Sequence, residues 1–190
     1  LDILKLNIEN LEKNINSIDK IDADTLFSNI PDHEVNKLVT SEESEIHEYK
    51  SSIRVDVFKK GNSKENYIIE SWLKTTVAFL NSKGGNLIIG VSDKKEILGL
   101  DRDDFKSQDD IHKFIVDKIK SKIGLEFIDK YIFINFIKID HKLICRISCD
   151  KLPNKIVASL DDDIYVRAGP SSRNLTPKEV IEWQNTRRIK

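Results

Sequence analysis

Apolar residues return every three or four positions at the start of the chain, at Leu1, Leu4, Ile8, Leu11, Ile15 and Ile18. That spacing is an a/d seam and predicts an amphipathic helix over residues 1–22. The stripe either lies on its own domain or zips against another copy or a missing upstream region; three heptads are marginal alone. Residues 23–42 turn acidic and polar around Pro31 and read as a linker, which leaves one domain over residues 43–190.

Within that domain the period switches repeatedly. Ile46 to Phe58 reads as a strand or two broken at Ser51-Ser52. Glu65 to Asn81 reads as a helix, because Ile69, Trp72, Leu73, Val77 and Leu80 recur at helical spacing. Gly84-Gly85 ends it, and the nearly all-apolar run from Asn86 to Val91 predicts a buried strand, followed by a second at Glu96 to Leu100. Ser107 and Asp110 form a capping box for a helix striped by Ile111, Ile115, Ile119 and Ile123, which Gly124 can stop. Tyr131–Ile139 and Leu143–Cys149 make a hairpin around Asp140-His141-Lys142. Strands are expected at Lys155–Leu160 and Ile164–Ala168, and a last helix behind Thr176, Pro177 and Glu179. Hairpins mixed with crossovers predict an α+β fold with a mixed β-sheet and packed helices, preceded by the N-terminal amphipathic helix.

The 190 residues suffice for one core. No apolar run is long enough to cross a bilayer, so no membrane role is expected. Leu1 stands first and no methionine occurs, which reads as a trimmed chain or a fragment. Two cysteines make no disulfide framework and point to a reducing compartment, the cytoplasm by default. Cys145 and Cys149 share a strand face with Leu143 and Ile147, so they read as core thiols and no zinc is expected. His141 in the hairpin turn reads as polar surface. A net charge of −1 excludes coating of nucleic acid by bulk electrostatics, so phosphate binding needs a local basic patch.

Two stretches could carry chemistry. In an extended chain Ile46, Glu48 and Lys50 share one face while His47 and Tyr49 share the other. A carboxylate beside a lysine suits a metal-assisted phosphodiester site, although a solvated strand edge has the same pattern. The second stretch, Gly84-Gly85-Asn86-Leu87-Ile88-Ile89-Gly90-Val91-Ser92-Asp93, delivers Asp93 to the end of a buried strand. It lacks the Gly-Lys-Ser/Thr ending of a P-loop, and Asp93 also fits an ordinary turn before Lys94-Lys95.

Together these stretches resemble the AlbA-like domain of Schlafen proteins: Glu43-Ser44 through Glu48-Tyr49-Lys50, then Phe79-Leu80-Asn81-Ser82-Lys83-Gly84-Gly85, then Leu87 to Asp93. Ile97-Leu98-Gly99-Leu100 and Tyr165-Val166-Arg167-Ala168-Gly169-Pro170-Ser171-Ser172 continue the match in the same order. The resemblance implies three acidic positions, Glu43, Glu48 and Asp93, which in Schlafen nucleases bind Mg²⁺ or Mn²⁺ and cleave RNA, notably tRNA, with Lys50 beside them. Ser92 departs from the Asp-Asp of many relatives, the animal proteins build their cleft from two such modules, and their zinc site has no counterpart here.

The leading expectation is therefore a metal-dependent endoribonuclease acting on tRNA-like RNA. A non-catalytic DNA- or RNA-binding or regulatory module is the alternative, as is an assembly domain of a larger protein. The three carboxylates are expected within about 4–8 Å of one another, with a turn between Glu43 and Glu48 because their parity differs. Glu48 and Asp93 are expected on exposed strand positions. Lys50, Arg54, Lys59, Lys60, Arg167 and Arg173 are the expected nucleic-acid contacts, with Arg167 projecting away from the core because it alternates with Val166. A symmetric homodimer would replace the missing second module, and the N-terminal seam offers a contact for it.

Overall fold

A computed structural model describes residues 37–59 and 64–188. The expected helix over residues 1–22, most of the linker and Lys60 lie outside them, as does the seam on which the homodimer expectation leans. Residues 37–40 form a helical turn inside the stretch read as linker.

The long helix α1, Asn66–Asn81, buries Trp72, Leu73, Val77 and Leu80 as its period requires. The Phe79 carbonyl accepts from the N–H groups of Ser82 (3.1 Å) and Gly84 (3.0 Å), which closes its C-terminus. Gly84 has φ +80°, and a Cβ there would lie 2.5 Å from the Cys149 carbonyl oxygen; one at Gly85 would lie 2.7 Å from the Phe79 ring. Both glycines let the chain pass between α1 and the sheet.

Strands β1 (His47–Lys50) and β2 (Gly85–Ile89) are parallel, joined across α1. The sheet continues through β4 (Lys142–Cys149) to β3 (Ile132–Ile139), both antiparallel, in the order β1-β2-β4-β3. Asp140 (φ 47°) and His141 (φ 64°) both turn left-handed between β3 and β4, as a two-residue type I′ hairpin demands. On one face Leu87, Ile89, Cys145, Ile147 and Cys149 join Ile111, Ile115 and Ile119 of α2 (Gln108–Lys122) and the α1 stripe in the main core. On the other face Tyr49, Ile88, Ile137 and Ile144 meet Val39 in a smaller cluster. Ser107 caps α2 by accepting from Asp110 N–H at 3.1 Å, and Gly124, at φ +146°, follows its end.

Two further strands, β5 (Tyr165–Ala168) and β6 (Ser171–Asn174), form a separate antiparallel hairpin against α1. The final helix α3, Pro177–Arg188, opens with the expected box: Glu179 accepts from Thr176 N–H (2.8 Å) and its own N–H meets the Thr176 hydroxyl (3.4 Å). Those contacts, with Arg173, hold the Glu179 carboxyl down to about 2.

Three strand expectations are corrected. The run from Ile46 to Phe58 supplies β1 and then bends, because the amides of Ile53, Arg54 and Val55 turn to the buried Asp103 carboxylate rather than to a neighbouring strand. Glu96–Leu100 gives a single bridge, Val91 to Ile97. Lys155–Leu160 is irregular, since Asn81 of α1 takes its backbone, accepting from Ala158 N–H at 2.9 Å and donating to Ala158 O at 2.8 Å.

Candidate nucleic-acid interface

Among the described residues strand β1 is a sheet edge with β2 as its neighbour, so its outward amides need other acceptors. Ser44 N–H donates to His47 O at 2.9 Å, and the turn so made reconciles the parities of Glu43 and Glu48, as expected. Glu43 folds back along the open edge and its Oε1 accepts from Tyr49 N–H at 3.2 Å. The Tyr49 hydroxyl lies 2.9 Å from Leu38 O and 2.8 Å from Ser41 O, pinning the helical turn onto the sheet. Burial, with Glu42 and Glu43 nearby, pushes that hydroxyl up to about 12.

Glu48 and Lys50 project together, as the strand period requires, and Glu48 Oε1 lies 2.6 Å from Lys50 Nζ. The other oxygen meets Arg167 at 2.9 Å. Arg167 also donates to Ser44 O (2.7 Å) and to Ser172 Oγ (3.1 Å), and its guanidinium lies 4.8 Å over the Phe79 ring. Its side chain is 1% exposed. The expectation that Arg167 projects from the core is therefore overturned. Alternation fails because β5 is covered on both sides, with Tyr165, Val166 and Arg167 all buried. Glu48 is likewise buried rather than exposed, since a buried carboxylate needs paired cations and here has two.

Asp93 is exposed, in the turn that Lys95 N–H closes onto Ser92 O at 2.9 Å. Among the described residues no group of three or more His, Cys, Asp or Glu side chains is arranged to hold a metal ion. Glu43, Glu48 and Asp93 are thus not gathered into a ligand set: one is spent on a backbone amide, one on two cations, and one sits on a turn. The residues present do not fit Mg²⁺ or Mn²⁺ in this arrangement.

The other expected cations divide. Arg54 is structural, donating to Asp103 O (2.7 Å) and Asp104 O (2.6 Å) while stacking 3.7 Å over Phe105. Lys59 stands 3.6 Å from Asp56 and 3.4 Å from Glu65 at the surface. Arg173 pairs with Glu179 at 2.5 Å. Lys50 remains partly exposed, at 24%.

Lys50 also borders a cavity of about 260 Å³, with Ser52, Asp56, Phe58, Tyr67 and Ser71 around it. Phe58 is 81% exposed and Tyr67 51%. The Tyr67 hydroxyl donates to Asp56 Oδ2 at 2.6 Å, which occupies that carboxylate and fixes the ring. Behind the wall, Asp103 accepts from Ile53 N–H (3.0 Å), Arg54 N–H (2.7 Å) and Val55 N–H (3.2 Å), and Trp72 Nε1 donates to Ile53 O at 3.0 Å. Burial pushes the Asp103 carboxyl up, against the pull of those amides. The sequence reading missed both aromatics. The available signal was that Tyr67 falls off the α1 stripe and that Phe58 precedes Lys59-Lys60.

The chain matches the model of the family "Schlafen, AlbA_2" over residues 43–176. Among solved structures it is similar to the DIP2311 protein from Corynebacterium diphtheriae, with 18% identity and a TM-score of 0.53, over 82% of this chain and 31% of that one. The chain therefore spans about a third of that protein's length. It also matches the N-terminal domain of a putative ATP-dependent DNA helicase RecG-related protein from Nitrosomonas europaea, with 16% identity and a TM-score of 0.41, over 76% and 92% of the two chains. No curated protein matches it. With its family model satisfied over residues 43–176, and with the α+β fold described above, the chain belongs to the Schlafen AlbA_2 family.

Proposed function

We propose that the domain is a nucleic-acid-binding module whose contact surface is the cleft beside Lys50. The observation that carries this reading is the pair of exposed aromatic rings, Phe58 and Tyr67, flanking a cavity with a cation on its wall. Aromatic faces stack on bases of either RNA or DNA, and the lysine meets the phosphates between them. The near-neutral net charge makes such a local site necessary.

Binding of fluorescent single-stranded RNA, single-stranded DNA and tRNA at two salt concentrations tests it. Phe58→Ala or Tyr67→Ala should each weaken binding roughly 5- to 150-fold, following about 1–3 kcal/mol per stacked base. Lys50→Ala should lower the salt slope by about one. Affinity unchanged in all three variants removes the cleft from consideration.

A second reading, metal-dependent cleavage of RNA, draws on one observation, the Glu48 carboxylate 2.6 Å from Lys50, the lysine that borders that cleft, and it requires Glu48 to exchange its two cations for a metal ion. Incubation of tRNA with Mn²⁺, Mg²⁺ or chelator separates the two readings. Cleavage that needs the metal and is lost in Glu48→Gln supports the second; bound but intact RNA leaves the first.

A further inference from the structure

The sheet face opposite α1 and α2 bears a second cavity, of about 390 Å³, lying between the segment 37–46 and the strands. Lys37, Ser41, Glu42, His47, Asn86 and Arg146 are among the residues around it. That volume falls within the range of small-molecule sites, about 300–1,000 Å³. Arg146 alternates with the buried Cys145 and Ile147, so it stands on the face away from the main core. Asn86 Oδ1 accepts from Arg146 Nε at 2.8 Å and from Ser148 Oγ at 3.1 Å, which fixes the guanidinium across two strands. Glu42, the one carboxylate among the described lining residues, is exposed and 4.0 Å from Lys95.

An independent observation marks the same place. His47 is 7% exposed, and its Nε2 is buried with no hydrogen-bond partner. Leaving such an atom unpaired is unfavourable. Burial, helped by Lys95 and Arg146, lowers the imidazole pKa. Nε2 is thus a buried ring nitrogen without a hydrogen-bond partner, at the wall of the cavity.

We propose that this cavity binds a phosphate carried next to a hydroxyl, as in a ribonucleotide. Arg146 and Lys37 take the phosphate oxygens, and a ribose hydroxyl hydrogen-bonds with His47 Nε2. The same chemistry comes from a free mononucleotide or from the phosphorylated end of an RNA strand. The site lies on the other sheet face from the aromatic cleft and does not depend on it.

Calorimetric titration of the full chain with 5′-AMP, its 2′,3′-dideoxy analogue and inorganic phosphate provides the test, alongside RNA oligonucleotides with and without a 5′-phosphate. Saturable binding of 5′-AMP is expected, at least tenfold weaker in Arg146→Gln. His47→Phe should bind 5′-AMP no better than wild type binds the dideoxy analogue. A 5′-phosphate that tightens RNA binding identifies the strand end as the source; a mononucleotide bound with no such effect identifies the free nucleotide. If Arg146→Gln does not fold, Lys37→Gln replaces it, with a several-fold loss expected. The proposal is overturned if neither 5′-AMP nor phosphorylated RNA binds saturably, or if binding is lost in Phe58→Ala while Arg146→Gln and His47→Phe retain it. Equal affinity of wild type for 5′-AMP and its dideoxy analogue also overturns it.

Discussion

Arg167 and Arg187 are both buried, both lie over an aromatic ring (Phe79 at 4.8 Å, Trp183 at 4.5 Å), and both leave Nε without a partner. Their remaining nitrogens meet different chemistry. Arg187 donates to four main-chain carbonyls, of Asn81 (3.2 Å), Leu152 (3.1 Å), Pro153 (3.1 Å) and Ile156 (3.3 Å), with no carboxylate among these partners. Burial pushes its pKa below the usual arginine value. Arg167 meets a carboxylate that the sequence had singled out for chemistry. The contrast teaches that a suggestive glutamate can be held by a structural cation, and that a buried cation can serve as a fastener for the end of a helix. Arg187 ties α3 to the carbonyl end of α1 through partners that no side-chain substitution can remove.

The largest effect expected is that of Arg187→Met. Stranding several carbonyls should cost about 3–6 kcal/mol in denaturant unfolding, at roughly 1–3 kcal/mol for each poorly hydrated group. A loss below about 1 kcal/mol would mean that water replaces the guanidinium freely and that the fastener is ornamental. Arg167→Met should cost about 3 kcal/mol, the low end for a broken buried pair because Lys50 stays beside Glu48. Adding Glu48→Leu should then recover most of that loss, since the unpaired carboxylate is gone. No second side-chain change should recover Arg187→Met in this way. A double variant as unstable as Arg167→Met alone would break the comparison.

Acid titration sharpens it by separating His47 from the Glu48–Arg167 pair on the neighbouring strand positions. The folded-state pKa of His47 lies below the ordinary 6.5, chiefly through burial. The unfolded chain therefore binds the proton first, and stability should fall as pH drops below about 6.5 until the folded pKa is passed. His47→Phe should remove that part of the slope, read by thermal melts between neutral and mildly acidic pH. The smallest effect belongs to the N-terminus of α3, where Thr176→Ala should cost about 1 kcal/mol. That cost should add to Arg167→Met, whose site lies off α3, and should fail to add to Arg187→Met on the same helix.

Much of the fold could be read along the chain where a local rule decides it. Both capping boxes, the α1 and α2 stripes and the Asp140-His141 turn depend on residues within a few positions of one another. β6 was missed because Ser171-Ser172-Arg173-Asn174 carries no apolar alternation; it pairs with β5 through the backbone ladder and the Arg167–Ser172 contact. Lys155–Leu160 has the apolar content of a strand, but its buried Ala158 and Leu160 join the core from an irregular backbone. At the candidate site the strand period correctly placed Glu48 with Lys50 and His47 with Tyr49, whose rings meet edge to face at 4.8 Å. Partners at long separation were out of reach: Arg54 finds Asp103 and Phe105, and Arg167 finds Glu48, through packing that no neighbouring residue announces. Arg146, His47 and Asn86 come together only across three strands.

The span of the Glu48–Arg167 contact, 119 residues, bears on how the chain is made. A ribosome adding about 5–20 residues per second needs roughly 6–24 s to travel from one partner to the other. Throughout that interval Glu48 can stay hydrated or lean on Lys50, two positions away, and burying it without the arginine is costly. Docking of β1 in its final form is therefore a late event of synthesis, which waits for the β5–β6 hairpin to clear the exit tunnel. A chain released before Arg167 would carry a β1 strand whose Glu48 lacks its guanidinium partner.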